Sequence, residues 1–234
     1  MFASLAIIIL AIGIQTLLQL SQGVFAVFYH HALGKTTAKK ADDRSLSFIL
    51  GVEIFTAVFY LLTYLIVSFV ITQKGFDNII LVWIMIGIFI AEAVFFFFCY
   101  YKMGKKYKKT SRLFVNRHVA EALIYKAEHA KSRTDTIILG IVTSAIELAF
   151  TLPLFVISSV EILRFDSRFG FLFIVIYVIA ATAPLFGTRI LFRANNTLAG
   201  IMQIRSSKKN LYRILITIGY LSIAALVFIT GVVK

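Results

Sequence analysis

Apolar residues along this chain gather into six long runs, at approximately 3–29, 46–72, 78–101, 136–160, 169–191 and 211–232. Short polar stretches separate them, apart from one long polar stretch at 102–134. A helix needs roughly 20 residues to cross about 30 Å of hydrocarbon, and each run reaches that length. Strands of a membrane barrel would alternate apolar and polar with period two, which these runs do not. Helices are then the way their backbone groups find hydrogen bonds in lipid. The first run has no basic leader and exceeds the apolar length of a signal peptide, which predicts a retained spanning helix. The expected fold is all-α: a polytopic membrane protein with six transmembrane helices in a single domain, 1–234.

Composition agrees. Of 234 residues, 60% are hydrophobic and 15% charged, against roughly 45–50% and about 25% for soluble domains. A folded chain of this size still leaves about a quarter to a third of its unfolded surface exposed, so the excess apolar surface must face lipid. A soluble enzyme, a disordered tail and a disulfide-rich domain are excluded. Cys99 is the single cysteine, so neither a CxxC redox pair nor a cysteine-based zinc site can form.

The net charge of +13 would point to nucleic acid if it covered one face of a soluble domain. It is distributed otherwise. Lys35, Lys39, Lys40 and Arg44 follow the first run; ten basic residues from Lys102 to Arg133 follow the third; six from Arg189 to Arg213 follow the fifth. The remaining loops hold only Lys74, Arg164 and Arg168, and Lys234 is terminal. Since Lys and Arg are retained on the cytoplasmic side, both termini are expected on the non-cytoplasmic side of a plasma (inner) membrane. Anionic headgroups account for the charge, and no nucleic-acid partner is expected.

A loop as long as 102–134 is uncommon without structure of its own. Val115, Val119, Ala122, Leu123, Ala127 and Ala130 recur at helical spacing, with Arg117, Glu121, Lys126 and Glu128 between them. This predicts an amphipathic helix on the cytoplasmic membrane surface between helices 3 and 4, the alternative being a solvated connector. An internal echo at a spacing of 89 residues matches Arg44 with Arg133, Ile49-Leu50-Gly51 with Ile138-Leu139-Gly140, and Phe76-Asp77 with Phe165-Asp166. It pairs helices 2–3 with 4–5. A second alignment sets Gln15-Thr16 and Gln19 against Thr143-Ser144 and Glu147, which would make a three-plus-three inverted repeat.

Ionisable groups within spanning segments are costly and usually face the bundle interior or a wet path. Glu147 in helix 4 falls near the midplane, Glu92 in helix 3 on the cytoplasmic half, and Glu53 in helix 2 about two turns from the cytoplasmic end. No Lys, Arg or His shares their depth. Such a group can hold a proton and release it when a cationic substrate arrives. Gln15, Gln19 and Gln22 share one face of helix 1, and Ser144, Glu147 and Thr151 one face of helix 4. Each stripe reads either as a path or as interhelical hydrogen bonding. Pro153 and Pro184, the only prolines, mark kinks or backbone breaks of the transporter kind. His30-His31 lacks further ligands at metal-site spacing, so no metal or other cofactor is expected. No phosphate-binding glycine loop, HExxH or GxSxG is present, which argues against an enzyme.

Helix 1 ends in Ser21-Gln22-Gly23, Ala32-Leu33-Gly34-Lys35 follows, and Ile49-Leu50-Gly51 opens helix 2. In this layout the chain resembles the lysine-exporter (LysE) superfamily of six-helix transporters, with Leu152-Pro153 in the place of that family's Asn-Pro element. The resemblance implies export of a small solute, an amino acid or a metal cation, by alternating access. The expected function is a secondary transporter or exporter that binds solute or protons at Glu147, Glu92 and Glu53, with Gln15, Gln19, Gln22, Ser144 and Thr151 along the route. The alternative is a non-catalytic membrane subunit or scaffold whose basic loops dock a partner. Expected partners are the bilayer, a small-molecule or ion substrate, and a second copy or a membrane-complex subunit.

Overall fold

The computed structural model describes residues 2–19, 38–74, 79–106, 132–165, 169–195 and 209–231, together with positions 122, 125, 126, 129 and 130. Among the described residues there are six helices and no strand: α1 (Phe2–Gln19), α2 (Ala38–Lys74), α3 (Ile79–Lys106), α4 (Arg133–Phe165), α5 (Gly170–Asn195) and α6 (Lys209–Gly231). Helices α2 to α6 each contain a segment long and apolar enough to cross a membrane. Helix α1 has a shorter apolar stretch, Phe2–Leu18; the first span expected at 3–29 is described only to Gln19. The surface is rich in large apolar side chains, among them Leu65, Ile66 and Phe69 of α2, Ile80 and Ile84 of α3, and Phe171 and Ile179 of α5. Exposed apolar surface on this scale needs a non-aqueous neighbour, and the chain is a multi-pass membrane protein by this architecture.

Helix ends differ from the hydropathy pattern where charge meets apolar sequence. Helix α2 begins at Ala38, so Lys39, Lys40 and Arg44, expected in a loop, are helical. Hydropathy reports where a segment enters lipid, and a helix can begin earlier. Helix α4 starts three residues before its apolar run because Ser132 caps it. The Asp135 amide donates to Ser132 Oγ at 3.0 Å, and the Ser132 amide to Asp135 Oδ2 at 2.9 Å. This reciprocal box satisfies two otherwise orphaned donors. The surface helix expected within 102–134 lies almost wholly outside the described residues, which retain helical backbone only at 122, 125, 126 and 129 beyond Lys106.

The two most extensive helix contacts are α2 with α4 and α3 with α6. α1 packs on α4, α5 and α6, and α2 also on α5. Backbones meet where α2 crosses α4. A Cβ on Gly51 would collide with the Ile137 carbonyl, and one on Gly140 would strike the Phe48 carbonyl and come within 3.2 Å of Gly51 Cα. Small residues permit such approach in membranes, where packing rather than hydrophobicity drives association. The two glycines of the 89-residue echo therefore face each other. Elsewhere the core is aromatic: Phe89, Phe96 and Tyr220 join α3 to α6, and Tyr60, Phe155 and Tyr177 join α2, α4 and α5.

Both prolines sit inside continuous helices, Pro153 in α4 and Pro184 in α5. The carbonyl three residues before each is taken by a neighbouring hydroxyl. Tyr220 donates to Phe150 O at 2.9 Å, and Thr16 to Ala181 O at 3.5 Å. Prolines in spanning helices are tolerated when neighbours satisfy the loosened backbone in this way. The carbonyls that lose their helical donor to the prolines are those of Ala149 and Ala180, each next to one of these.

Candidate functional site

Glu147 lies near the centre of α4, only 4% exposed. Its helix touches α1 and α2 extensively and α3 and α5 more narrowly. Among the described residues its carboxylate makes no ion pair and no side-chain hydrogen bond. Ser144 and Thr151 are buried beside it on the same helical face, and Thr151 donates to the Glu147 carbonyl at 3.4 Å. The expected α4 stripe is thus present and turned inward.

The α1 stripe is described in one member. Gln15 is buried and accepts at Oε1 from the Tyr177 hydroxyl at 2.6 Å. Gln19 ends α1 and Gln22 lies outside the described residues. Ser158 of α4 stands beside the hydroxyls of both Tyr60 and Tyr177, although Tyr60 Oη finds no partner at hydrogen-bond geometry. Gln15, Tyr60, Ser158 and Tyr177 thus form a buried polar node drawn from α1, α2, α4 and α5. Neither tyrosine was anticipated as polar chemistry, because a tyrosine in an apolar run is indistinguishable from core bulk until its hydroxyl has a neighbour.

Glu53 is partly exposed and accepts from Thr182 of α5 at 3.1 Å. Glu92 is half-buried on α3, with one oxygen, Oε2, buried and unpartnered, and its charge lies near Tyr220 of α6. No hydrogen bond links Glu147, Glu92 and Glu53 to one another among the described residues. They lie on three different helices and form no acidic cluster among the described residues.

Two further acidic groups matter. Asp42, at the start of α2, receives both arms of Arg189 from the end of α5, at 2.8 and 3.0 Å. This two-point, partly buried pair ties the ends that carry the basic residues. Glu161 is 1% exposed near the far end of α4. Its Oε1 meets Arg164 at 3.0 Å and its Oε2 is buried without a partner. Hydropathy hid Glu161 by ending the fourth run at 160.

The chemistry within reach is binding and relay by oxygen atoms: carboxylates, a carboxamide and hydroxyls, lying inside an apolar bundle. Comparisons with protein-family models, with curated proteins and with solved structures find no match to this chain.

Proposed function

We propose that this protein is a secondary transporter of a small cationic solute, an amino acid or a metal or organic cation, in the plasma membrane. Intramembrane carboxylates would bind solute or protons, as the resemblance to the lysine-exporter superfamily implies. One observation carries the reading. Glu147 is enclosed at the centre of α4 without a counter-ion among the described residues. A carboxylate in that position is costly and normally serves a path or a relay. If it were an interhelical clasp, a donor from a neighbouring helix would meet it.

Helix contacts support an alternating-access design. Exchange α1 with α4, α2 with α5 and α3 with α6. The contacts α1–α4, α2–α5 and α3–α6 then map onto themselves, α1–α6 maps onto α3–α4, and α2–α4 onto α1–α5. These correspondences support the reading of a three-plus-three inverted repeat, although the narrow α4–α5 contact maps onto α1–α2, which has no comparable contact among the described residues. The two glycines matched by the 89-residue echo meet at the crossing of α2 and α4. In the proposed topology the basic loops are cytoplasmic, the segment around 115–130 lies on that surface, and both termini are outside.

The test is solute-driven proton flux in liposomes holding the full chain, scanned over amino acids and over monovalent and divalent cations. A responding solute should lose at least about tenfold in flux with Glu147→Gln, while the variant keeps its helicity and elution. Unchanged flux in both Glu147→Gln and Glu92→Gln overturns the reading.

A further inference from the structure

Glu147 does not stand alone on its helix. Thr151, Ser158 and Glu161 follow it at intervals that keep all four within an arc of about 80° around the α4 axis. Each is buried. The stripe runs about 21 Å from Glu147 to Glu161 at helical rise, towards the end of α4 remote from the basic loops. Its two hydroxyls already donate to carbonyls of their own helix: Thr151 to Glu147 O, and Ser158 to Leu154 O at 2.6 Å. Their lone pairs are what they offer a passing cation or proton.

Two buried oxygen atoms along the stripe lack partners. Tyr60 Oη, 0% exposed, stands beside Ser158 midway, and Glu161 Oε2 lies at the end. Buried polar atoms are nearly always satisfied, so an orphan hydroxyl from α2 beside the stripe and an orphan carboxylate oxygen at its end point to a visiting group. Neighbouring Arg164 shows what kind: a guanidinium already rests on the other oxygen of Glu161, from the same helix and one turn on.

Resting on the transport reading above, we propose that Glu161 is the second station of the route. It is a site for a guanidinium or primary ammonium group, and Arg164 holds it as a tethered stand-in that the solute displaces. Tyr60 and Ser158 supply neutral oxygens between this station and Glu147. The pairing Glu161–Arg164 closes the site when solute is absent.

The test uses the full chain in vesicles of phosphatidylcholine and phosphatidylglycerol, which carry no primary amine to compete, and radiolabelled guanidinium, which stays charged. Wild-type protein should take up guanidinium. Glu161→Gln should cut uptake at least about tenfold, and Arg164→Gln should lower the half-saturating concentration about three- to tenfold by removing the resident competitor. Adding phosphatidylethanolamine should leave these values unchanged; if it inhibits uptake through Glu161, the amine bound there is a lipid headgroup and the solute station is refuted. Full uptake by Glu161→Gln with none by Glu147→Gln overturns this station and leaves the transport reading standing. Uptake unaffected by either substitution overturns both. Should Glu161→Gln fail to fold, Arg164→Gln decides: an unchanged half-saturating concentration refutes the displacement.

Discussion

Replacing Glu147 by leucine separates two explanations of a buried carboxylate. If the group exists for transport, it burdens the fold. If it clasps a neighbouring helix, it supports the fold. A charged side chain at the centre of a spanning helix costs about 2.5–3.5 kcal/mol, whereas leucine there contributes about −0.5 kcal/mol. Glu147 is 4% exposed, with no ionic partner among the described residues to offset that cost. Seating a branched side chain in a packed site takes back about 1 kcal/mol. Glu147→Leu should therefore raise the unfolding free energy, by up to about 2–3 kcal/mol, while abolishing solute-driven flux. Equilibrium unfolding in mixed micelles, followed by circular dichroism, reads the first effect, and the liposome assay the second. A loss of about 2 kcal/mol or more would refute the reasoning, because breaking a buried polar tie destabilises and removing an idle charge does not.

Other substitutions test the packing. Gly140→Ala should destabilise by about 1–3 kcal/mol, since its Cβ meets backbone that cannot rotate aside; Gly51→Ala should match it, with the double variant costing less than the sum in the same unfolding assay. Arg189→Ala should cost about 2–4 kcal/mol by taking the guanidinium from Asp42, and adding Asp42→Asn should recover part of the loss. Tyr177→Phe should cost about 1–3 kcal/mol because Gln15 loses its donor. Tyr60→Phe, which deletes a hydroxyl without a partner, should leave stability within about 0.5 kcal/mol while lowering flux; equal losses for the two tyrosines would contradict the assignment of partners.

Hydrophobic run length was enough to read helices and lipid exposure, because both follow from what the residues are. The start of α4 was not legible that way, since it depends on the Ser132 cap rather than on apolarity, and neither was the helicity of α2 through its charged residues from Ala38. The inward stripe on α4 could be read from spacing, and its extension to Glu161 could have been, had the polar period been followed past residue 160. Which helices meet could not. Gln15 with Tyr177 and Glu53 with Thr182 are pairs separated by well over a hundred residues, and nothing local to either member encodes the other. Nor could the sequence show that Gly51 and Gly140, matched by the internal echo, occupy two sides of one crossing.

That crossing has a mechanical corollary. Two helices in contact through bare backbone have no side-chain layer to shear, so α2 and α4 travel together as one strut. Any opening that wets the inner face of α4 has to come from α1, α3 or α5 withdrawing from the strut. At the basic end, α5 cannot leave without unhooking Arg189 from Asp42, which makes that pair the first bond to give way when the bundle yields there.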